Sequence, residues 1–196
     1  MKREITAISL GLKFLSALRR IAVEQGNEEL DKLAAALQYC TVVRRDLVIL
    51  QTDLLTERNK WRRNLSARHL AVLVIEITDN IDTVLGKEFR AHIVAVAGSN
   101  GELLKRYRSL RRSLADICED FNEELRHIRN TAAAHRDRNA NRQIDAIDNV
   151  DERPILLVAQ AVSMWLLLIL RYWRSTVRKR FSEQYKTANF EALTSR

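Results

Sequence analysis

Apolar side chains recur at intervals of three and four residues through most of this 196-residue chain. That spacing places them on one face of an α-helix, because the helix repeats about every 3.6 residues. The chain has one proline and five glycines, so few residues interrupt the pattern. The sequence therefore predicts an all-α protein, not a sandwich or a disordered chain. The first apolar stripe consists of Ile5, Ile8, Leu12, Leu15 and Leu18.

The breaks in this pattern predict about six helices. Gly26 is suited to end the first helix, Asn27 to cap the second, and Pro154 to open the last. Short connections favour an up-and-down bundle in a single domain over residues 1–196. Segment 59–64 is either a corner or a continuation, and 136–150 is either loop or loop plus a short helix. The expected helices cover 4–24, 28–58, 65–85, 87–97, 101–135 and 154–186. Leu50 is expected on the buried face of the second helix and Arg44 on its polar face. Gly86 is expected to end the third helix, whose outward face carries Asp79, Asn80 and Asp82.

Charge and cysteine content narrow the class of protein. Thirty-three basic residues against 25 acidic ones give a net charge of +8, which favours nucleic acid or an anionic membrane surface as the partner. Cys40 and Cys118 lie in apolar helical contexts and are expected to be buried, reduced thiols in a cytoplasmic protein. The four histidines do not pair with the cysteines at zinc-site intervals, so neither a metal nor another cofactor is expected. Glu4 and Lys13 favour an amphipathic first helix over a signal peptide.

The most informative stretch is 129–137, which reads RNTAAAHRD inside a long helical pattern. Its three consecutive alanines favour a helix and leave a narrow backbone profile that a partner can approach. A histidine that titrates near neutrality, set among arginines, suits acid–base chemistry beside a phosphate. The candidate catalytic residues are Arg129, Asn130 and His135, and the candidate RNA-binding residues are Arg126, Arg136 and Arg138.

This arrangement resembles the HEPN superfamily, the higher eukaryotes and prokaryotes nucleotide-binding domains. Members carry an Arg, often followed at once by Asn or Asp, and then a His a few residues later, near the end of a long helix in a small all-helical protein. Arg129, Asn130 and His135 match that motif, with five residues between the Arg and the His. The IRNTAAAHRD form resembles bacterial abortive-infection and toxin-like members.

The resemblance implies a HEPN-like fold and a metal-independent endoribonuclease. In that reaction the ribose 2′-hydroxyl attacks the adjacent phosphate and leaves a cyclic phosphate. His135 would move a proton, Arg129 would stabilise the charge on the phosphate, and Asn130 would orient the phosphate or the imidazole. The resemblance also implies a bacterial defence or toxin–antitoxin setting. An antitoxin or a nucleotidyltransferase is the protein partner that it suggests.

Helix geometry bears on the number of subunits. Six residues along an ideal helix rise about 9 Å and leave Arg129 and His135 about 120° apart, so the two residues do not share one face. The resemblance implies a homodimer in which two motif helices face each other across one cleft, and the alanines would let those helices approach. The alternative from another class is a non-catalytic HEPN-like module that binds RNA, nucleotide or a protein.

Other residue groups have a functional and a structural interpretation, and the structural one is favoured for each. Arg68 and Glu76 form either a polar cluster facing the motif or an ordinary pair at the surface or the edge of the core. A cluster of three carboxylates is either a metal site or a solvated face, and three tryptophans either stack bases or pack. His127 is either an auxiliary group or a surface residue. The carboxylates are Asp116, Glu119 and Asp120, and the tryptophans are Trp61, Trp165 and Trp173.

The segment 155–170 is almost wholly apolar, and basic and aromatic residues follow it through 171–180. Sixteen helical residues reach about 24 Å, which is short of the roughly 30 Å hydrocarbon core of a bilayer. The segment is therefore expected in a protein core or a dimer interface, and a membrane anchor is the less favoured alternative. The basic stretch 171–180 is either an RNA-phosphate patch or a solvated helix end.

Overall fold

The computed structural model describes residues 2–97, 101–119, 123, 126 and 150–194. Across these residues the chain forms seven helices and no strand, which confirms the all-α prediction. The helices are α1 (Lys2–Glu24), α2 (Glu28–Thr56), α3 (Lys60–Val84), α4 (Lys87–Ala97), α5 (Gly101–Glu119), α6 (Glu152–Arg180) and α7 (Ser182–Thr194).

The α1–α2 corner forms as the sequence predicts. Gly26 adopts a positive φ of 65°, a conformation that glycine reaches without a steric penalty. The amides of Gly26 and Asn27 donate to the carbonyls of Val23 and Ala22, at 3.1 and 2.8 Å, which together form a Schellman motif. The Asn27 side chain then accepts from the Leu30 amide at 3.0 Å and caps α2.

The start of α3 differs from the prediction, because the helix begins at Lys60 and not near residue 65. The Asn59 side-chain oxygen accepts a hydrogen bond from the Arg62 amide at 3.2 Å, so Asn59 is the N-cap. Glu57 in turn accepts from the Asn59 amide at 2.9 Å and fixes the cap. Segment 59–64 is therefore the cap and first turn of α3.

A single last helix over 154–186 is also wrong. The helix begins at Glu152, where Asp151 caps it by accepting from the Arg153 amide at 3.0 Å. It ends at Arg180, and α7 begins after a bend at Phe181. No glycine or proline marks this break. Its cause is tertiary, because α7 packs along α1.

The chain divides into two compact units. One comprises Met1–Arg45, Ile81–Arg111 and Leu166–Arg196, and the other comprises Asp46–Asn80 and Arg112–Trp165. The prediction of a single domain stays a prediction.

In the first unit, three aromatic rings form the centre of the core. The Phe89 ring lies 5.2 Å from the Trp173 ring in an edge-on arrangement and 6.1 Å from the Tyr107 ring. The Tyr107 hydroxyl donates to the Leu85 carbonyl and to the Gly86 carbonyl, and burial raises the pKa of this phenol. These contacts fix α4, α5 and α6 on one another.

Gly86 is required at the α3–α4 junction of that unit. A Cβ atom at this position would collide with the backbone carbonyl oxygen of Asp82. The collision involves backbone, which no side-chain rotation relieves. The glycine predicted to end the third helix therefore also permits the close turn into α4.

Helix α7 covers one side of α1 in the first unit. The Tyr185 and Phe14 rings lie 4.9 Å apart, and Gln184 donates to Gln25 at 3.0 Å. Arg20 forms an ion pair with Glu191 near the end of α7. These contacts bring together residues from opposite ends of the described chain.

The core of the second unit is built mainly from α2, α3 and α6. Its buried apolar residues follow the helical spacing seen in the sequence, apart from Leu50, which is half-buried. Arg63 at the start of α3 pairs with Glu152 at the start of α6. The core includes Leu47, Leu54, Leu70, Val74, Ile77, Ile155, Val158 and Val162.

Two side chains lie where the sequence did not place them. Arg44 was expected on the polar face of the second helix, but it is buried, with 8% of its surface exposed. Its long aliphatic stem tolerates burial, and its guanidinium pairs with Glu4 at 2.6 Å. Trp61 was expected to pack, yet 54% of it is exposed, because it lies in the first turn of α3.

Cys40 is fully buried, as predicted, and burial raises the pKa of its thiol to about 12. The Cys118 side chain lies outside the described part. Because the thiolate is the reactive form, we expect iodoacetamide at pH 8 to leave Cys40 unmodified in the folded protein and to label it after denaturation. Peptide mapping by mass spectrometry distinguishes it from Cys118. Rapid labelling of Cys40 in the folded protein would contradict this burial.

The same shift fixes the direction of a pH effect on stability. The folded state favours the neutral thiol, so the contribution is complete below the unfolded-state pKa of about 8.5 and is lost as the pH rises toward 12. A Cys40→Ala variant should therefore lose less stability than wild type between pH 8 and pH 11.

Candidate nucleic-acid site

Most of the predicted site lies outside the described residues. This applies to the candidate catalytic residues Arg129, Asn130 and His135 and to the RNA-binding candidates Arg136 and Arg138. It applies also to Asp120 and His127. Arg126 is the RNA-binding candidate whose position is described.

Arg126 is helical and half-buried in the second unit. Its guanidinium nitrogen lies 2.7 Å from a carboxylate oxygen of Asp79, which belongs to the outward face of α3. About 43% and 44% of these two side chains are exposed, so water screens the pair. Arg126, which precedes the predicted motif by three residues, therefore lies against the C-terminal half of α3.

This contact changes the expected contribution of Arg126 to phosphate binding. A carboxylate in hydrogen-bond contact offsets much of the positive charge that a phosphate would feel. Arg126 was predicted as an RNA-binding residue on charge alone, and its pairing with Asp79, 47 positions away, was missed. The sequence signal was the outward-facing acidic stretch at Asp79, Asn80 and Asp82, which is exposed as predicted.

We expect Asp79→Asn to strengthen RNA binding a few-fold, with a larger effect at low salt, because it removes a negative charge beside a basic stretch. The free energy of unfolding should fall by less than about 1 kcal/mol, since the pair is exposed. Fluorescence anisotropy with a labelled RNA and urea denaturation measure the two quantities. Asp53→Asn is the matched control, because Asp53 is an exposed carboxylate on α2 that makes the same change in net charge. Equal affinities in the two variants would show that Asp79 does not restrain Arg126.

Arg68 and Glu76 occupy different surroundings on α3. Arg68 is half-buried, its Nε donates to the Asn64 carbonyl at 3.3 Å, and burial lowers the pKa of its guanidinium. Glu76 is exposed to solvent. Arg68 therefore belongs to the edge of the core, as the favoured structural interpretation predicts.

The acidic and imidazole side chains are scattered over the described part of the chain. Asp116 and Glu119 are exposed on α5, His69 is exposed on α3, and His92 is half-buried on α4. Among the described residues, no three His, Cys, Asp or Glu side chains come together in a way that could hold a metal ion.

The tryptophans divide into two groups. Trp165 and Trp173 are buried, with 3% and 1% of their surfaces exposed, which confirms the packing interpretation for both. Trp61 is exposed, so base stacking now applies to this residue.

Helix α6 is apolar on two sides. One side is buried, and on the other side Leu157, Met164 and Leu168 are exposed. The stretch Glu152–Ser175 is the one helix in the described part of the chain that is long and apolar enough to cross a membrane, and 39% of its most apolar window is buried. The core prediction for 155–170 is thus confirmed for one side only.

Among the arginines near the C-terminal end of α6, some are exposed and one contacts residues of other helices. Arg171 and Arg178 are exposed, whereas the Arg174 Nε donates to the Tyr185 hydroxyl at 2.7 Å. The Arg174 guanidinium also lies 5.8 Å from the centre of the Phe14 ring.

Comparison of the chain with protein-family models, with curated proteins and with solved structures found no match.

Proposed function

We propose that the chain is a metal-independent endoribonuclease of HEPN type. The observation that carries the proposal is the Arg129–Asn130…His135 pattern, near the end of a long helix predicted from the sequence, in an all-α chain. The net charge of +8 supports an RNA substrate. A cytoplasmic, bacterial defence or toxin–antitoxin setting belongs to the same proposal.

The chemistry needs three groups and no metal. His135 moves a proton, as base toward the ribose 2′-hydroxyl or as acid toward the leaving 5′ oxygen. The Arg129 guanidinium binds the phosphate and stabilises its developing charge, because the planar fork matches phosphate oxygens. Asn130 orients the phosphate or the imidazole. The products are a 2′,3′-cyclic phosphate and a 5′-hydroxyl.

The ion pair between Arg126 and Asp79 supports a defined position for this motif. In the helix predicted through residue 135, Arg129 is three residues after Arg126 and therefore lies on the same side. The pair between Arg126 and Asp79 on α3 therefore supports a motif helix whose Arg129 side faces α3. His135 is about 120° away on such a helix, so a second copy of the motif from a homodimer completes the cleft.

RNA cleavage by the purified protein in excess EDTA tests the proposal. Cleavage that leaves 2′,3′-cyclic phosphate and 5′-hydroxyl ends is expected, because no step uses a metal. Cleavage that EDTA abolishes, or that leaves 5′-phosphate ends, would contradict the mechanism. Toxicity on expression, relieved by His135→Ala, is the matching result in cells, and an antitoxin or nucleotidyltransferase would act as its regulator.

The alternative from another class is a non-catalytic HEPN-like module that binds RNA, nucleotide or a protein. Its distinguishing result is a folded, non-toxic protein that binds RNA without cutting it. A membrane-associated helical protein is the second alternative, and the exposed apolar side chains on α6 favour it. Its distinguishing result is partition of the protein into detergent.

A further inference from the structure

The first unit contains an open groove of about 600 Å³ between α1, α2 and the C-terminal part of α6. This volume lies within the range of roughly 300–1,000 Å³ that small-molecule sites occupy. The groove's described lining residues all belong to the first unit. Nothing in the proposed RNA cleavage uses it.

The walls of the groove are mainly apolar. Two thirds of its lining residues are aliphatic, aromatic or glycine, and they come from all three helices. Thr41 donates its hydroxyl to the Leu37 carbonyl at 2.7 Å, and its methyl carbon lies 3.9 Å from an ideal Cβ placed on Gly11. The wall at this point is therefore also apolar. The apolar lining includes Ala7, Leu10, Phe14, Leu15, Leu167 and Leu170.

A buried arginine lines the groove from α2. Arg44 is more than nine-tenths buried, and one of its terminal nitrogens donates to Glu4 at 2.6 Å. Its Nε is also buried and has no hydrogen-bond partner among the described residues. A buried donor on a charged group is costly to leave unpaired, so Arg44 keeps one donor without an acceptor, its Nε hydrogen, at the wall of the groove.

Two more arginines line the groove from α6. Arg174 is positioned by its hydrogen bond to Tyr185 on α7 and by its contact with the Phe14 ring. Arg171 is exposed one turn earlier on the same helix. Against these three guanidinium groups the lining contains one carboxylate, that of Glu4. The potential in the groove is therefore positive, and it favours an anion.

We propose that this groove binds a free single-chain amphiphile that has an unbranched apolar tail and a carboxylate head. The apolar walls of α1 and α6 cover the tail and remove it from water. The carboxylate accepts the unpaired Arg44 Nε hydrogen, because a guanidinium fork matches carboxylate oxygens. Arg171 and Arg174 attract the anion to the groove, and Glu4 keeps the Arg44 guanidinium in place.

The test uses cis-parinarate, a fluorescent C18 carboxylate, below its critical micelle concentration. We expect saturable fluorescence at one parinarate per chain and displacement by palmitate. Hexadecanol has the same chain length without the charge and should compete at least 10-fold less well, and acetate should not compete. Equal competition by hexadecanol and palmitate would overturn the role of the arginines. Absence of saturable binding would overturn the site.

Variants locate the site. Arg44→Met keeps an aliphatic side chain but removes the guanidinium donors, and it should weaken parinarate binding at least 10-fold. Arg178→Met is the control, because Arg178 lies on the same helix as Arg174 but outside the groove, and this variant should bind parinarate as wild type does. Ala7→Phe fills the groove from an exposed position on α1 and should also weaken binding, with Ala91→Phe on α4 as its control. Circular dichroism checks that each variant is folded. Unchanged binding in both Arg44→Met and Ala7→Phe would place the ligand elsewhere and overturn the proposal.

A flotation assay with lipid vesicles distinguishes binding of a free amphiphile from binding to a membrane. We expect the protein not to float with phosphatidylglycerol vesicles while it still binds parinarate in solution. Flotation with vesicles that lack free fatty acid, together with no binding of soluble parinarate, would assign the apolar surface to a membrane and overturn the proposal. Failure of RNA cleavage has no bearing on either result, because the groove and the motif are tested by different readouts.

Discussion

The His135→Ala variant is expected to cleave RNA about 10²- to 10⁴-fold more slowly than the wild-type protein, because that is the usual effect of removing a positioned proton-transfer group. Initial rates on a labelled RNA in EDTA measure the change. His69→Ala is the matched control, since His69 is an exposed histidine on α3 outside the motif. Its rate should equal that of wild type. A His135→Ala variant with the wild-type rate would remove the histidine from the mechanism.

Replacing Arg129 separates charge from geometry in the same assay. Arg129→Ala should lower the rate about 10²- to 10³-fold, as loss of a single stabilising donor to a transition state does. Arg129→Lys keeps the charge but loses the planar fork, and it should recover only part of the activity. Full activity in Arg129→Lys would mean that the residue acts as a point charge alone.

The Trp173→Ala variant is expected to lose about 3–5 kcal/mol of stability, the usual cost of removing a buried large aromatic side chain. Trp173 is 1% exposed, and its ring packs edge-on against Phe89. The substitution leaves a cavity. We expect the surrounding backbone to move only partly into it, because the hydrogen bonds of the neighbouring Tyr107 hold that backbone in place. Urea denaturation followed by far-UV circular dichroism gives the change in the free energy of unfolding.

Trp61→Ala makes the same chemical change at an exposed position. Because 54% of Trp61 is exposed, its removal should alter stability by no more than about 0.5 kcal/mol. Both variants lose one indole, which changes the tryptophan fluorescence. The free energies of unfolding of the two variants are therefore compared by circular dichroism, which reports helix content. Similar losses in the two variants would contradict the positions of these side chains.

Features of the fold that are set by residues close together in the sequence could be predicted. The Gly26–Asn27 corner is an example, because the cap acts on amides and carbonyls within a few residues. The cap at Asn59 was missed, although it is just as local, since it lies in a polar run where several residues could serve.

Features that are set by contacts between residues far apart in the sequence could not be predicted. The bend at Phe181 has no glycine or proline, and the packing of α7 on α1 sets it. Arg44 was placed on a polar face because helical spacing says nothing about a partner such as Glu4, 40 positions away. The pairing of Arg126 with Asp79 is hidden for the same reason.

The contact between α1 and α7 also concerns the order in which the protein is synthesised. Arg20 and Glu191 are 171 positions apart, so α1 leaves the ribosome long before its covering helix exists. At 5–20 residues per second, that interval lasts roughly 10–35 s. During this time the nascent chain holds Phe14 without its Tyr185 neighbour, and a chaperone that recognises exposed apolar helices can bind there. Helix α1 is thus synthesised well before the helix that covers it.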